Sequence, residues 1–191
     1  MIGVKEILYG IYGGYRLCRF DAQGLAYFDS TIGGFWRSFF AAVLVAPIYF
    51  ITVLLDLDFS TVEASVGRTF LLESLAYVIL VFAYPLAMHY ISEALDRRQQ
   101  YFLYIVAYNW ASVTYNAIAL PVDVLSASEL LPKAAADTLE LAVRLAILAV
   151  LWFIARTALN VPRLIAVGLV ALDFVLSLVV SSIINARLGI S

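Results

Sequence analysis

The chain is 191 residues long, 64% hydrophobic and 14% charged, with a mean hydropathy of +0.95 and a net charge of −2. Soluble domains average about 45–50% apolar and about 25% charged residues, so composition excludes a soluble globule and points to an all-α polytopic membrane protein. No lysine–arginine block is long enough to track a nucleic-acid backbone, and one Cys with one His excludes a disulfide framework, a haem motif and a zinc site of the usual ligands; no nucleic acid, cofactor or metal is expected.

Residues 1–36 read as a cytoplasmic amphipathic segment ahead of a transmembrane domain over 37–191. Val4, Ile7, Leu8, Ile11, Tyr15 and Cys18 recur at helical spacing, with Lys5, Glu6, Arg16 and Arg19 on other faces. An apolar stripe with basic flanks suits a helix in the headgroup layer, with Ile7, Leu8 and Ile11 on the apolar side and Arg16 and Arg19 toward anionic lipid. A helix packed under the bundle is the other reading. Gly10, Gly13 and Gly14 weaken the helix, each costing about 1 kcal/mol against Ala in a helix interior. Cys18 reads as a small apolar residue rather than a lipidation site. Asp29, Ser30 or Thr31 supplies the cap of the helix that becomes the first span.

A helix needs about 20 mostly apolar residues to cross the hydrocarbon core. Five stretches meet that test, at approximately 39–55, 74–91, 101–122, 139–155 and 164–184, and predict a bundle of five transmembrane helices preceded by the N-terminal interfacial helix. Pro47, Pro85 and Pro121 fall in the first three, a placement that membrane helices tolerate. Ser60 with Glu63, and Ser126 with Glu129, have the spacing of a helix-start box and predict short helices in the two loops of the outer face. Ala166, Gly168 and Ala171 permit close contact for the fifth span. Beyond Tyr115 the only aromatics are Trp152, Phe153 and Phe174.

Orientation follows from the basic residues of the short loops. Lys5, Arg16, Arg19, Arg37, Arg97, Arg98, Arg156 and Arg163 fall on one side, against Arg68, Lys133 and Arg187 on the other. The N terminus is therefore expected in the cytoplasm and the C terminus outside, with an acidic outer rim that includes Asp56, Asp58, Asp123 and Asp137.

Polar groups inside a membrane face protein or a wet cavity. At 100° per residue, Tyr104, Tyr108, Asn109, Ser112, Tyr115 and Asn116 share a face about 140° wide, which should look into the bundle. Leu103, Val106, Trp110, Val113 and Ala117 form the opposite face. Glu73, Tyr77 and Tyr84 repeat the pattern more weakly in the second span. In the fifth, Asp173, Ser177 and Ser181 stand four residues apart. Asp173 and Asn109 fall at similar depths, and Arg144 enters from outside within side-chain reach of that level. A cluster of Asp173, Asn109, Asn116, Tyr108, Arg144 and Ser177 follows, either as a proton, cation or substrate site or as interhelical hydrogen bonds around one ion pair. Arg144 stands equally four residues from Glu140 in the order that favours pairing within the helix. His89 reads as interfacial. No nucleophile elbow, zinc-protease helix, P-loop or dinucleotide fingerprint is present, so no enzyme is expected.

The segment Asp29-Ser30-Thr31-Ile32-Gly33-Gly34-Phe35-Trp36 resembles the juxtamembrane region of the Yip family (Ypt-interacting proteins). Eukaryotic members carry an Asp-Leu-Tyr-Gly-Pro run there; Asp29 and Gly34-Phe35-Trp36 are the comparable positions here. The resemblance, to the bacterial type, implies five spans, a cytoplasmic N terminus, an external C terminus and residence in the bacterial plasma (inner) membrane. It further implies a non-enzymatic accessory protein or scaffold that organises the bilayer or partner proteins. The alternative is a small transporter or channel subunit that moves protons or cations around Asp173. Either role calls for the lipid bilayer and for a protein partner or a homo-oligomer within it.

Overall fold

A computed structural model describes residues 2–56, 66–128 and 130–188. Among them all regular structure is helical: α1 (Val4–Cys18), a 3-10 turn (Ala22–Tyr27), α2 (Ile32–Ser38), α3 (Phe40–Asp56), α4 (Val66–Ala94), a second 3-10 turn (Arg98–Gln100), α5 (Tyr101–Ala127), α6 (Lys133–Ala158) and α7 (Arg163–Leu188). Pro47, Pro85 and Pro121 lie inside α3, α4 and α5.

Among the described residues four helices are long and apolar enough to cross a membrane: Ile32–Leu55, in which α2 runs into α3, then Val66–Ala94, Lys133–Ala158 and Arg163–Leu188. Between 11% and 22% of each most apolar stretch is buried inside the protein, so these helices turn an apolar surface outward. Five apolar spans were expected. At 27 residues α5 has the length, about 40 Å at 1.5 Å per residue, but with Tyr, Asn, Ser and Thr side chains along it α5 is not among the helices apolar enough to qualify. It is the central helix, in contact with α1, α2, α3 and α6 and more lightly with α4, while α7 joins α4 to α6.

The near end of the bundle carries the two short connections, tied where Arg97 Nε donates to the carbonyl of Asn160 at 3.2 Å. On that half of α5, α1 fills the cleft beside the central helix. Gly10 lies on the Trp110 indole, and a Cβ at Gly14 would stand 2.5 Å from the Trp110 carbonyl oxygen. The face of α5 opposite its polar stripe is therefore covered: Val106 and Trp110 are 2% and 3% exposed. Ile7 and Ile11 pack on this core, whereas Leu8 points away from it with Val4, Tyr12 and Tyr15. Of the two readings of this segment, contact with the bundle describes its glycine face. Phe20, at φ 59° just past α1, packs edge-on against Phe153 of α6 at 5.5 Å between centroids.

Thr31 is the cap among the three candidates, its hydroxyl accepting from the Gly34 amide at 3.1 Å. Ser126 lies within the last turns of α5 and starts no new helix; Glu129, and both Ser60 and Glu63, lie outside the described residues. Of the small residues of α7, Ala166 is fully buried, but Gly168 faces open space. The close contact expected at a glycine of α7 is made instead by the glycines of α1.

Candidate functional site: a tyrosine-lined chamber

A cavity of about 270 Å³ lies between α3, α4, α5 and α7. The polar face of α5 forms one wall with Tyr108, Asn109, Ser112, Tyr115 and Asn116, as its helical period requires. Tyr49 of α3, Tyr77 of α4 and Ser177 of α7 complete the polar lining. Tyr77 donates to the carbonyl of Ala42 at 2.5 Å, and its ring centroid lies 4.7 Å from that of Tyr49. Toward the near end, Tyr84 and Tyr104 share a hydrogen bond at 2.5 Å, and the Tyr84 ring lies 4.9 Å from that of Tyr108.

Two carboxylates are held by chamber tyrosines. Tyr108 donates to Asp173 Oδ1 at 3.0 Å, and Tyr49 donates to Glu73 Oε2 at 2.8 Å. Of the expected cluster, Tyr108, Asn109, Asn116 and Ser177 thus meet at one cavity, with Asp173 bound to its wall. Asn109 does not reach Asp173. It donates to Ser38 Oγ at 2.8 Å, and that hydroxyl donates to the carbonyl of Phe35 at 2.7 Å. Asn116 spends its amide on the carbonyl of Ser112 at 2.8 Å, one turn back on its own helix.

Arg144 is no part of the cluster. It lies 3.6 Å from Glu140 on α6, its side chain 72% exposed. Depth along the helix brought it level with Asp173, but azimuth turns it away. It lines an open groove of about 540 Å³ at the far end, with Asp123 of α5 and Lys133, Asp137 and Glu140 of α6. Among the described residues, no cationic side chain pairs with Asp173.

The other sequence candidates are structural in their contacts. Asp29 Oδ1 accepts from the Thr31 amide at 2.9 Å, and its Oδ2 meets Arg37 at 2.6 Å. Glu6 of α1 takes the other edge of that guanidinium at 2.7 Å, tying α1 to α2. Gly34 is required because the Asp29 carbonyl and side chain occupy the space of a Cβ. Phe35 is buried between Phe39, Tyr101 and Phe102, whereas Trp36 is 63% exposed. Arg16 is engaged by Asp21 and Gln23, and Arg19 lies over the Tyr15 ring. His89 stacks edge-on with Tyr101 at 5.4 Å. Cys18 is half-buried against the carbonyl of Ala111, and burial pushes its thiol up to about 11.

Sequence reasoning missed Tyr49, because an isolated tyrosine in an uncharged run carries no period of its own. Its signal is indirect: Glu73 needs a donor, and Tyr77 on the same face of α4 marks where a neighbouring helix must supply it. Among the described residues no three His, Cys, Asp or Glu side chains gather to hold a metal. No protein-family model, no curated protein and no solved structure matches the chain, so its function is argued from these residues alone.

Proposed function

We propose that this chain is a non-enzymatic membrane protein of five membrane-crossing helices, with α5 as the polar fifth, that moves protons or small cations through the tyrosine-lined chamber. One observation carries the reading: Asp173 accepts a hydrogen bond from Tyr108 and, among the described residues, has no cationic side chain paired with it. An ion pair would cancel the carboxylate charge and make the group structural. A neutral hydroxyl donor orients the carboxylate and leaves its charge to be met by a mobile proton or cation. The basic bias of the near-end connections supports a cytoplasmic near end and an external C terminus. Five spans without an internal repeat make a poor carrier alone, so the working unit is a homo-oligomer or a complex with another membrane protein.

The test is flux in proteoliposomes of purified full-length protein under an imposed potential, read with a pH dye and, in separate vesicles, with sodium and potassium dyes. Flux that falls at least tenfold in Asp173→Asn, with the variant still monodisperse in detergent, supports the reading. Absence of flux for all three ions in the wild type overturns it.

The second reading is the scaffold role that the Yip-like segment implies. It is favoured by the outward face of α1, where Val4, Leu8, Tyr12 and Tyr15 are exposed and offer apolar and aromatic contact to a bilayer surface or partner helix. A stoichiometric partner in a native-detergent pull-down, together with a silent flux assay, decides for it.

A further inference from the structure

Resting on the reading of the chamber as an ion path, we propose that Glu73, held behind the chamber wall by Tyr49, is its second cation-accepting group, nearer the far end than Asp173. The two carboxylates are built alike. Each accepts from the hydroxyl of a tyrosine that lines the chamber, Tyr108 for Asp173 and Tyr49 for Glu73. They stand at different levels. Tyr84, whose ring touches that of Tyr108, lies eleven residues along α4 from Glu73, a rise of about 16 Å. Tyr77 falls between them on α4 with its ring against Tyr49.

That span is too long for one side chain to bridge, and the two donor tyrosines, Tyr49 and Tyr108, both line a cavity with room for several waters, whose hydroxyl and amide groups can hold them. A path with one deep carboxylate would hold a cation there and release it slowly. A second carboxylate nearer the other end gives a place to enter and leave, so binding at each can stay weak. Glu73 lies about a quarter of the way along α4 from its far end, closer to that end than the level of Asp173. The ligand is a proton or a small monovalent cation, for which a carboxylate beside a hydroxyl is suitable chemistry.

The experiment uses the same reconstituted full-length protein with four variants: Asp173→Asn, Glu73→Gln, Tyr49→Phe and Glu140→Gln. Glu140 belongs to the open far-end groove and serves as the control. The separate pH, sodium and potassium dyes tell a proton from a metal cation. Expected are a loss of tenfold or more for Glu73→Gln, a loss of two- to tenfold for Tyr49→Phe, and wild-type flux for Glu140→Gln. If Glu73→Gln does not assemble, Glu73→Asp, which draws the charge one methylene away from Tyr49, takes its place with a loss of at least threefold. If Glu73 serves only to tie α3 to α4, correctly assembled Glu73→Gln or Glu73→Asp runs at the wild-type rate. That result overturns the assignment of Glu73 while leaving the chamber reading intact if Asp173→Asn remains silent. A wild type that passes no ion overturns both together.

Discussion

Gly14 of α1 rests directly on the backbone of Trp110 in α5, the Trp110 carbonyl oxygen 2.5 Å and the Ala111 Cα 3.1 Å from where a side chain would begin. Helix backbone has no rotamer with which to yield, so even Gly14→Ala must push α1 outward. The cost is that of overpacking, about 1–3 kcal/mol, seen as a lower thermal midpoint in detergent. Gly168→Ala is the contrast. Nothing lies within 4 Å of its Cβ position, and the gain in helix propensity should leave stability unchanged or up to about 1 kcal/mol higher. Cys18 reports the same event chemically. Half-buried against Ala111, its thiol is pushed up to about 11 and stays protonated at pH 8. Once α1 is displaced it should approach the free value of about 8.5, and the maleimide rate at pH 8 should rise on the order of a hundredfold.

The tie between α1, the segment before α2, and α2 itself should be acid-sensitive. The Thr31 amide foremost, and Arg37 after it, hold the Asp29 carboxyl below its usual range; Arg16 foremost holds Asp21 below its own. A carboxyl lowered on folding contributes stability above its unfolded value, about 3.9, and loses it as pH falls through the lower folded value. Hydrogen exchange over residues 4–18 should therefore be flat from pH 8 to 5, once corrected for intrinsic rates, and quicken below about pH 4. In Asp29→Asn that acid response should shrink. An equal response in both proteins would place the acid-labile contact elsewhere.

Arg144 and Asp173 should behave as strangers. Arg144 pairs in the open with Glu140, an arrangement worth at most about 0.5 kcal/mol. Arg144→Gln should therefore shift the thermal midpoint little, and it should not restore whatever Asp173→Asn loses. Tyr108→Phe, by contrast, removes the donor to Asp173 and should couple to Asp173→Asn in a double-mutant cycle, by about 0.6–1.7 kcal/mol on the scale of membrane hydrogen bonds.

Topology is checked by reporter fusions after Gln99 and after Ser191, the latter outside the described residues. With α5 crossing, the first should read cytoplasmic and the second external. Matching signals would mean that α5 lies among the other four helices without crossing the bilayer.

The run of helices was legible because apolar stretches of this length have few other uses, and the polar face of α5 was legible because its period is helical. Arg144 was misplaced because depth follows from counting residues, whereas azimuth depends on how each helix turns against its neighbours. The docking of α1 was hidden by an ambiguity in glycine itself. In sequence it reads as a weak point of a helix; in the fold Gly10 and Gly14 are what let two backbones meet. Trp110, on the face opposite the polar stripe, is covered by them. The cap at Thr31 was among three offered by local chemistry, and only the position of the Gly34 amide selects it.

The seat of α1 also orders the assembly of the chain in time. Cys18 and the Ala111 carbonyl it meets are 93 residues apart in sequence, with α2, α3 and α4 synthesised between them. When α1 emerges during synthesis its partner does not yet exist, and a glycine-bearing helix of fifteen residues has little helical stability of its own. It must wait, half-formed, until α5 is in place and α6 has presented Phe153 to Phe20. Seating α1 thus follows the synthesis of α5 and α6, and a nascent chain stalled before α5 would show this segment to proteases and chaperones.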